Sequence, residues 1–330
     1  MKALVYTGAE AFDYRDAPKP SPASGEVLIR VESVGICGSD MHAYLGHDER
    51  RPAPLILGHE AAGVIETGPR QGTRVTINPL VTCGTCPACT VGRDNLCPER
   101  QIISMPPREG AFAEWLTMPE ANLVELPDHV TADQAALAEP IACGWHAARL
   151  GLSALDTGHR PRALVQGGGA IGLGAALSLT AQGIDDVTIV EPNVIRRRYL
   201  SLNCGQRAID PATLEAGALF DIVIDGVGYE ATRAQATAHA RPGGVIVHIG
   251  LGQAAGGLDV RRMTLQEITF IGTYTYTARD FRQTAQAMFD GRLGPLNWVE
   301  TRALSDGQAA FADIRKGTIP APKIILKPGG

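Results

Sequence analysis

The sequence predicts a two-domain fold, in which a mostly β domain precedes a doubly wound, parallel α/β domain. Up to about residue 150, short alternating runs such as EVLIRVESV, RVTIN and FAEWLTM are separated by proline and glycine, a pattern typical of strands joined by turns. Farther on, β-branched runs such as ALVQG, DVTIVE, DIVIDGV, GVIVHIG and TFIGTY alternate with alanine-rich stretches. That alternation indicates parallel strands covered by helices on both faces.

These two patterns set the expected domain limits. Residues 1–147 form the first part of the β domain, with a metal-binding lobe at about 80–100, and residues 148–283 form the α/β domain. The C-terminal segment 284–330 contains FADIRKGTIPAPKIILKP, which has a strand-like pattern again. We therefore expect this segment to fold back onto the β domain and complete it rather than form a third domain.

Composition and charge restrict the classes of function. The chain has 330 residues, 45% of them hydrophobic, and a formal net charge of −5, so it can bury large cores. Basic runs are absent and aromatic residues are scattered, so we expect no nucleic-acid partner. The N-terminal MKALVYTG lacks the features of a signal peptide, and no apolar run reaches membrane-spanning length. We therefore expect no membrane partner and a cytoplasmic location.

Four cysteines fall within one short segment, TCGTCPACTVGRDNLC, with the spacing C-x2-C-x2-C-x7-C. They are Cys83, Cys86, Cys89 and Cys97. This spacing is typical of a closed, tetrahedral structural zinc site, because short gaps let successive thiolates reach one ion. The alternatives are a disulfide pair or an accidental cluster, and the expected cytoplasmic location disfavours a disulfide. The remaining Cys37, Cys143 and Cys204 are too dispersed to suggest a disulfide framework.

A glycine turn lies between the predicted strand ALVQ and the helical run AIGLGAALSLTAQG. Gly167, Gly169 and Gly172 occupy the glycine positions of G-x-G-x-x-G, and Ala170 and Ile171 precede the last one. In such a turn the first glycine permits the bend, the second lets the backbone approach a pyrophosphate, and the third lets helix and strand pack closely. The alternative is a merely flexible turn. The strand and helix on either side favour a dinucleotide site.

An acidic residue completes this pattern. Glu191 ends the next predicted strand, nineteen residues after Gly172, where a carboxylate accepts hydrogen bonds from the adenosine ribose and repels a 2′-phosphate. Arg196, Arg197 and Arg198 follow closely, and an arginine there could hold a 2′-phosphate. Consecutive helical residues point in different directions, so these three cannot all face the ligand. We therefore expect NAD rather than NADP, with Arg196 as an adenine or ribose neighbour.

Three separate segments of the first domain supply further metal-ligand types. Cys37 lies in GICGSDMH, His59 and Glu60 lie in GHE, and Glu139 lies in AEPIACGWHA. Each has an ordinary alternative, since the cysteine could be a core thiol, the histidine a turn residue and Glu139 a helix-capping acid. Together they are typical of a zinc site with an exchangeable position, whose ligands come from different loops around a substrate.

At this point the motifs resemble those of a known family. The order of GICGSDMH, GHE, the four-cysteine segment, AEP and the glycine turn is similar to that of the zinc-dependent medium-chain alcohol dehydrogenases, over nearly the whole chain. The acidic residue in AEP resembles the branch of sorbitol, other polyol and threonine dehydrogenases. The resemblance implies a GroES-like catalytic domain and a Rossmann domain with a cleft between them.

The resemblance also implies roles for single residues. Cys37 and His59 match two ligands of a catalytic zinc, and Glu60 matches an acidic neighbour that ligates the zinc in many members. Glu139 matches a carboxylate that binds the zinc or its water. Further contacts with the dinucleotide are implied for loop residues of the Rossmann domain: Gly226, Val227, Gly250 and Leu251.

The expected chemistry is hydride transfer from an alcohol. Zinc lowers the pKa of a coordinated hydroxyl, and the resemblance implies that Ser39 relays the released proton to His42 while hydride passes to NAD. For the substrate pocket we expect Tyr44 and Phe112 as lining residues, with ordinary packing as an equal alternative for both. Tyr274 stands where sorbitol dehydrogenases have a polyol-binding arginine, which makes sorbitol itself a doubtful substrate.

The sequence thus predicts an NAD-dependent enzyme with two zinc ions per chain, which interconverts a secondary alcohol and its ketone. The expected substrate is a polyol, a sugar alcohol or a related hydroxy compound, and the resemblance implies a homodimer or homotetramer. Two alternatives stay open at this stage: an NADP-dependent carbonyl reductase of the same superfamily, and a non-catalytic protein that binds zinc and nucleotide.

Overall fold

The computed structural model of the chain describes residues 1–156 and 158–329. The strands are β1 Lys2–Gly8, β2 Ala11–Asp16, β3 Glu26–Gly35, β4 Leu55–Ile56, β5 Glu60–Ile65, β6 Arg74–Ile77, β7 Leu80–Val81, β8 Gln101–Ile102, β9 Trp115–Pro119, β10 Leu123–Glu125, β11 Arg162–Gln166, β12 Asp186–Val190, β13 Arg207–Ile209, β14 Phe220–Asp225, β15 Ala240–His248, β16 Thr269–Gly272, β17 Val299–Ala303 and β18 Lys323–Lys327. The helices are α1 Gly38–Tyr44, α2 Pro87–Thr90, α3 Ala132–Ala135, α4 Ala138–Ala154, α5 Ala170–Ala181, α6 Val194–Asn203, α7 Glu230–His239, α8 Val260–Leu265, α9 Ala278–Phe289 and α10 Gly307–Lys316.

The chain divides into two compact units. The first comprises Met1–Glu139, Thr277–Asp290 and Leu296–Gly330, and the second comprises Pro140–Tyr276 and Gly291–Pro295. The domain limits given from the sequence, 1–147, 148–283 and 284–330, stay a prediction. Among the described residues, none of the helices combines the length and apolar character that a membrane crossing requires.

The first unit is built around a mixed sheet with the strand order β10-β6-β5-β3-β18-β17, and β9 also pairs with β3. A second, smaller sheet has the order β2-β1-β4. Strand β3 lies in the middle of the main sheet and is buried along most of its length, which explains its run of β-branched and aliphatic residues. This central strand leads directly into the candidate metal site.

The register of three neighbouring strands fixes the relative positions of distant residues. Gly35 at the end of β3 pairs with Glu60 at the start of β5, and on the other side Gly35 pairs with Ile325 of β18. The antiparallel pairing therefore brings the segment after β3 beside the segment before β5. The main chain also continues this pairing, because the N–H of Ile36 donates to the carbonyl of Ile324 at 3.0 Å.

The four-cysteine segment forms a lobe between two short strands. β7 and β8 pair antiparallel, with Leu80 opposite Ile102, and they close the lobe at its base. Inside it, helix α2 begins at Pro87, where proline is favoured because its missing N–H would have no helical partner. The limits of about 80–100 given from the sequence for a metal-binding lobe stay a prediction beside these elements.

The second unit contains one sheet with the order β13-β12-β11-β14-β15-β16, and every pair in it is parallel. The chain moves outward from β11 to β13 and then returns to β14 on the other side, so the strand order reverses between β11 and β14. Such a reversal marks the ligand crevice of doubly wound sheets. The arrangement confirms the predicted doubly wound fold.

One expectation was wrong in part. FADIRK, at the start of the segment predicted to be strand-like, lies within helix α10, and only KIILK forms a strand, β18. The helical choice follows from burial, because Gly307, Ala310 and Phe311 are the buried residues of α10 and their spacing of three and four residues lies on one helical face.

The glycine turn between β11 and α5 is closely packed at one glycine and open at another. A Cβ on Gly172 would lie 1.8 Å from the carbonyl oxygen of Gly167, whereas a Cβ on Gly169 would meet no atom within 4 Å. Gly167 has a φ of +90°, which favours glycine. The third glycine therefore serves packing, and the second leaves free space at the helix N-terminus.

Gly172→Ala tests this close packing. Alanine is the better helix former by about 1 kcal/mol, but its Cβ would collide with a backbone oxygen, and overpacking typically costs about 1–3 kcal/mol or more. We expect urea unfolding to show a net loss of about 1 to 2 kcal/mol in the free energy of unfolding. Gly169→Ala is the matched control and should retain wild-type stability. Equal stability of the two variants would contradict this packing.

Candidate functional site

A cysteine, a histidine and a glutamate meet where β3 ends and β5 begins. Cys37 follows β3, while His59 and Glu60 lie at the entry to β5. One ligand atom from each of the three residues lies within 4.8 Å of those of the other two, and both His59 and Glu60 are buried. Sulfur, nitrogen and oxygen donors at this separation suit a zinc ion, which accepts all three.

Asp40 connects the two segments that contribute these ligands. Its Oδ2 accepts a hydrogen bond from the N–H of Cys37 at 3.0 Å, and its Oδ1 accepts one from the N–H of Gly58 at 3.3 Å. Burial acts to raise the pKa of Asp40, but the charges of His59 and Arg51 and the N–H of Cys37 outweigh burial and hold the pKa below its ordinary value. Asp40 is therefore ionised at neutral pH and holds both segments in place.

The surroundings of His59 distinguish its two ring nitrogens. Nδ1 lies 3.3 Å from Oγ of Ser104 and 3.4 Å from Oδ1 of Asp40, whereas Nε2 lies 3.5 Å from Oγ of Ser39. Burial acts to lower the pKa of His59, but Asp40 and Cys37 outweigh it and raise the pKa well above its ordinary value. A proton on Nδ1 that faces Asp40 would leave the Nε2 lone pair free to bind a metal.

A buried lysine balances the charge of Glu60. Nζ of Lys323 makes hydrogen bonds to Oε1 of Glu60 at 2.7 Å and to the carbonyl of Ile36 at 2.8 Å. It also lies 2.6 Å from Oε2, an ionic contact without hydrogen-bond geometry, and the side chains of Lys323 and Glu60 are only 3% and 0% exposed. Burial acts to lower the pKa of Lys323, but Glu60, Cys37 and Glu139 outweigh it and raise the pKa.

Glu139 lies near this cluster without belonging to its closest set. It is buried in the first turn of α4, and its negative charge contributes to the raised pKa of Lys323. In this cluster, the described ligand atoms that lie within 4.8 Å of one another belong to Cys37, His59 and Glu60. The role of Glu139 as a ligand of zinc or of its water stays a prediction.

Ser39 and His42 lie on the same short helix, α1. Ser39 is half-buried beside His59, and His42 is exposed in the last turn. Residues three apart on a helix lie on the same face, so the two side chains lie one helical turn apart, one beside the candidate metal site and one in solvent. Their role in proton transfer stays a prediction that this placement permits.

The four cysteines of the lobe form a second cluster, in which all four sulfur atoms lie within 4.8 Å of one another. Sγ of Cys83 lies 4.0 Å from that of Cys89 and 3.5 Å from that of Cys97, far beyond a disulfide bond of about 2.05 Å. N–H groups of Thr85 and Cys86 lower the pKa of Cys83 to about 6, while burial raises the pKa of Cys89 to about 12. Four converging thiols fit a structural zinc ion.

The dinucleotide segment has the features of an anion site. Gly169 precedes helix α5, and no side-chain hydrogen bond caps this helix end among the described residues. Ala170 and Ile171 form its first turn, so their N–H groups and the helix dipole face the open space beside Gly169. A Cβ at position 169 would occupy part of this open space, which suits the pyrophosphate of a dinucleotide.

Glu191 follows β12 and is buried against the glycine turn. Its Oε2 accepts from the N–H of Gly168 at 2.8 Å, and its Oε1 accepts from the N–H of Asn193 at 2.7 Å. Arg197 turns toward other partners, since it donates to the carbonyl of Glu191 and lies 3.0 Å from Asp210. Arg196 is half-buried in the first turn of α6. The carboxylate of Glu191 therefore contacts the turn directly.

Two loops at the ends of β14 and β15 pack against each other. A Cβ on Gly250 would lie 2.1 Å from the carbonyl carbon of Val227, so the backbones are in direct contact. Asp225 organises both loops: its Oδ1 accepts from the N–H groups of Val227 and Gly228, and its carbonyl accepts from the N–H of Gly250. Two other residues predicted from the sequence also lie here: Gly226, whose N–H donates to Gln166, and the exposed Leu251.

The residues predicted to line the substrate pocket have different surroundings. Tyr44 and Phe112 are buried in an aromatic cluster with Phe12 and Phe311, and the rings of Tyr44 and Phe12 stack at 5.5 Å. This cluster gives both residues a packing role and leaves their part in substrate binding a prediction. Tyr274 is half-buried two residues after β16, and its role also stays a prediction.

Comparison with known proteins supports these observations. The model of the alcohol dehydrogenase GroES-like domain matches residues 23–128, and that of the zinc-binding dehydrogenase matches residues 170–290. L-galactonate-5-dehydrogenase from Escherichia coli (strain K12) is 32% identical, with 89% of this chain and 88% of that protein covered. This chain belongs to the zinc-dependent medium-chain alcohol dehydrogenase family.

Two further relatives extend the comparison within this family. Sorbitol dehydrogenase from Bacillus subtilis (strain 168) is 31% identical, with 84% of this chain and 82% of that protein covered. A solved zinc-binding dehydrogenase from Sinorhizobium meliloti 1021, bound to NADP, is 27% identical, with a TM-score of 0.86 and 99% of each chain covered. Family membership confirms the predicted pairing of a GroES-like domain with a Rossmann domain and the resemblance to polyol dehydrogenases.

Several residues of the site were not found from the sequence. Asp40 has a local signal, since it lies within GICGSDMH between the candidate residues Ser39 and His42. Ser104 and Lys323 had none, because they reach His59 and Glu60 only through folding and lie 45 and 263 residues away in sequence. Asp225 has a local signal too, because it is the acidic residue that ends the strand DIVID.

Lys323→Met tests the charge balance at Glu60. Leaving a buried carboxylate without its partner costs about 3–5 kcal/mol, and we expect that loss in the free energy of unfolding after a chelator has removed the metal. Zinc held by Glu60 would supply positive charge, so added zinc should reverse most of the loss.

Lys316→Met is the control, because Lys316 lies at the surface beside Asp313. Its stability should stay within about 0.5 kcal/mol of wild type with or without zinc. A deficit in Lys323→Met that zinc does not reduce would contradict the assignment of Glu60 as a ligand.

Proposed function

We propose that this chain is a dehydrogenase that oxidises a secondary alcohol to its ketone, with zinc at the active site and NAD as the hydride acceptor. The substrate is a polyol, a sugar alcohol or a related hydroxy compound. The observation that carries the proposal is the convergence of Cys37, His59 and Glu60 beside the hydroxyl of Ser39. The names of the relatives, L-galactonate-5-dehydrogenase and sorbitol dehydrogenase, support the substrate class.

The ligand set suits catalysis. Cys37, His59 and Glu60 would hold the zinc through one thiolate, one imidazole and one carboxylate, and three protein ligands are typical of catalytic zinc sites, which keep one position open. Zinc would lower the pKa of a substrate hydroxyl, and the dinucleotide would accept the hydride. Asp40 and Lys323 then fix the ligands, since they bond to the backbone of Cys37 and to the carboxylate of Glu60.

The proton that leaves the substrate hydroxyl has a route through this chain's own residues. Oγ of Ser39 lies 3.5 Å from the imidazole of His59, so it can accept a hydrogen bond from a hydroxyl bound at this site. His42 lies one turn farther along α1 and is exposed, so it can accept the proton and release it to water. Ser39 thus relays the proton to His42, and His42 releases it to water.

The second zinc has a structural role in this proposal. Cys83, Cys86, Cys89 and Cys97 would hold it. Four thiolates complete the tetrahedral coordination and leave no position for a substrate. Sγ of Cys83 lies too far from the sulfur atoms of Cys89 and Cys97 for a disulfide bond. We therefore propose the cytoplasm as the location, because a reducing compartment preserves thiolate ligands.

The cofactor is proposed to be NAD. The open space beside Gly169 and the N-terminus of α5 would hold the pyrophosphate, and Gly226, Val227, Gly250 and Leu251 would follow the cofactor toward its nicotinamide. The carboxylate of Glu191 lies against the turn where the ribose is expected and would repel a 2′-phosphate. The Sinorhizobium meliloti relative is bound to NADP. The ratio of kcat/KM for NAD and for NADP therefore tests the proposed cofactor.

An oligomer is also proposed, a homodimer or a homotetramer. Strand β16 forms an edge of the sheet in the second unit, and Val260 and Leu265 of α8, the helix that precedes it in the chain, are exposed. An exposed edge strand favours pairing with a second copy, and exposed apolar side chains favour burial in an interface. Sedimentation equilibrium that shows a monomer at micromolar concentration would exclude this part of the proposal.

Cys37→Ser tests the proposed function. We expect the zinc content to fall from two ions per chain to one, and NADH formation on a panel of polyols, sugar alcohols and sugar acids to fall by at least about a hundredfold, the scale of an essential group in catalysis. The affinity for NADH should not change. Cys204→Ser, at the end of α6, is the control and should keep both ions and full activity. Full activity of Cys37→Ser would exclude the proposed mechanism.

Glu191→Gln tests the proposed cofactor. The amide keeps the size of the side chain and removes the charge that repels a 2′-phosphate, so the preference for NAD over NADP in kcat/KM should fall about tenfold, a change of about 1.4 kcal/mol. Glu215→Gln, an exposed site, should leave the preference unchanged. A wild-type enzyme with the higher kcat/KM for NADP would refute the choice of NAD.

A further inference from the structure

One buried arginine contacts Ser39 and Ser104, the two serines beside the candidate zinc ligand His59. Arg51 lies between α1 and β4 and is only 4% exposed. Its Nε donates to the carbonyl of Ser104 at 3.0 Å, and its Nη1 donates to the carbonyl of Ser39 at 3.3 Å. Nη2 also lies 3.5 Å from Oγ of Ser39. One guanidinium group thus holds two separate segments of backbone.

Each of these two segments carries a serine hydroxyl that lies beside the imidazole of His59. Oγ of Ser39 lies 3.5 Å from Nε2 of His59, and Oγ of Ser104 lies 3.3 Å from Nδ1. Arg51 therefore contacts the two residues that flank His59 on its two nitrogen atoms. A planar guanidinium with a fixed fork of donors can set the distance between two such partners, which a flexible ammonium group does less well.

Ser104 needs an external restraint. It is completely buried and has a φ of +69°, a conformation that residues other than glycine rarely adopt. Such a conformation persists only where the surrounding structure holds it. The hydrogen bond from Arg51 to the carbonyl of Ser104 provides that restraint at the residue that faces Nδ1 of His59.

The guanidinium group of Arg51 already has partners within the chain, which argues against anion binding. Nη1 lies 2.6 Å from Oδ2 of Asp48, and the two side chains are only 3% and 8% exposed. All three nitrogen atoms of the guanidinium have partners within the chain. A substrate carboxylate would have to displace these partners, so a role in holding the site fits better than a role in binding substrate.

We propose that Arg51 is a positioning residue, which fixes Ser39 and Ser104 on either side of His59 and so sets both the zinc-binding nitrogen and the proton-accepting hydroxyl. The inference rests on the proposed function of the same site. Loss of Arg51 should therefore have two separable effects: faster release of the active-site zinc ion and slower turnover. The affinity for NADH should not change.

The experiment compares Arg51→Gln and Arg51→Lys with Arg50→Gln in the full-length, zinc-loaded protein. Arg50 is the matched control, because its side chain also pairs with Asp48 but is 60% exposed. The rate of zinc release to EDTA is measured for the active-site ion, which is the ion expected to be absent from Cys37→Ser. Loss of a hydrogen-bond partner that orients a metal-binding histidine commonly costs about 10–100-fold in metal affinity or activity, so we expect Arg51→Gln to release this ion at least about tenfold faster.

Turnover gives the second measurement, with the alcohol that the wild type oxidises fastest. We expect kcat of zinc-saturated Arg51→Gln to fall at least about tenfold, with the dissociation constant for NADH within twofold of wild type. Arg51→Lys should recover part of kcat, and millimolar guanidinium should partly rescue Arg51→Gln. Arg50→Gln should match the wild type in every measurement. If Arg51→Gln does not fold, the same criteria apply to Arg51→Lys, with a smaller loss expected.

Wild-type rates of zinc release and turnover in a folded Arg51→Gln would overturn the inference. So would a loss of both zinc ions together with NADH binding, because that pattern shows a general structural defect. Failure of the proposed function looks different, since the wild type would then hold two zinc ions without oxidising any alcohol in the panel. The zinc-release measurement does not need turnover and still tests Arg51 in that case.

Discussion

The candidate active site depends on the register of three strands. Because Gly35 of β3 pairs with Glu60 of β5, the segments that contain Cys37 and His59 meet, although they lie more than twenty residues apart. Because Gly35 also pairs with Ile325 of β18, Lys323 lies within reach of the same carboxylate. A shift by one residue in either pairing would turn the side chains to the other face of the sheet and separate these groups.

This arrangement places several charges in a buried region. Burying unpaired charges costs several kcal/mol each, whereas paired and hydrogen-bonded charges cost far less. The structure meets this requirement with two pairs, Glu60 with Lys323 and Asp40 with His59. The pairs also orient the ligand residues, so the same contacts that offset the cost of burial prepare the site for a metal ion. Arg51 adds a third buried contact through Asp48.

The parts of the site that the sequence predicts best are those encoded locally. The four cysteines and the glycine turn each lie within one short segment, so their spacing alone determines which atoms can meet. Cys37 and His59 are candidates by residue type alone, and the resemblance to a family supplies their role, since spacing does not show that distant loops converge. Lys323 and Ser104 depend on strand register and on an unusual backbone conformation, which no local pattern encodes. The pocket residues Tyr44 and Phe112 were ambiguous because aromatic rings suit both packing and binding.

The most direct test of this account is anomalous diffraction at the zinc absorption edge from crystals of the purified protein. The account predicts two peaks in each chain, one among Cys37, His59 and Glu60 and one among the four cysteines of the lobe. A single peak at the lobe, in crystals of a protein that oxidises alcohols with NAD, would contradict it.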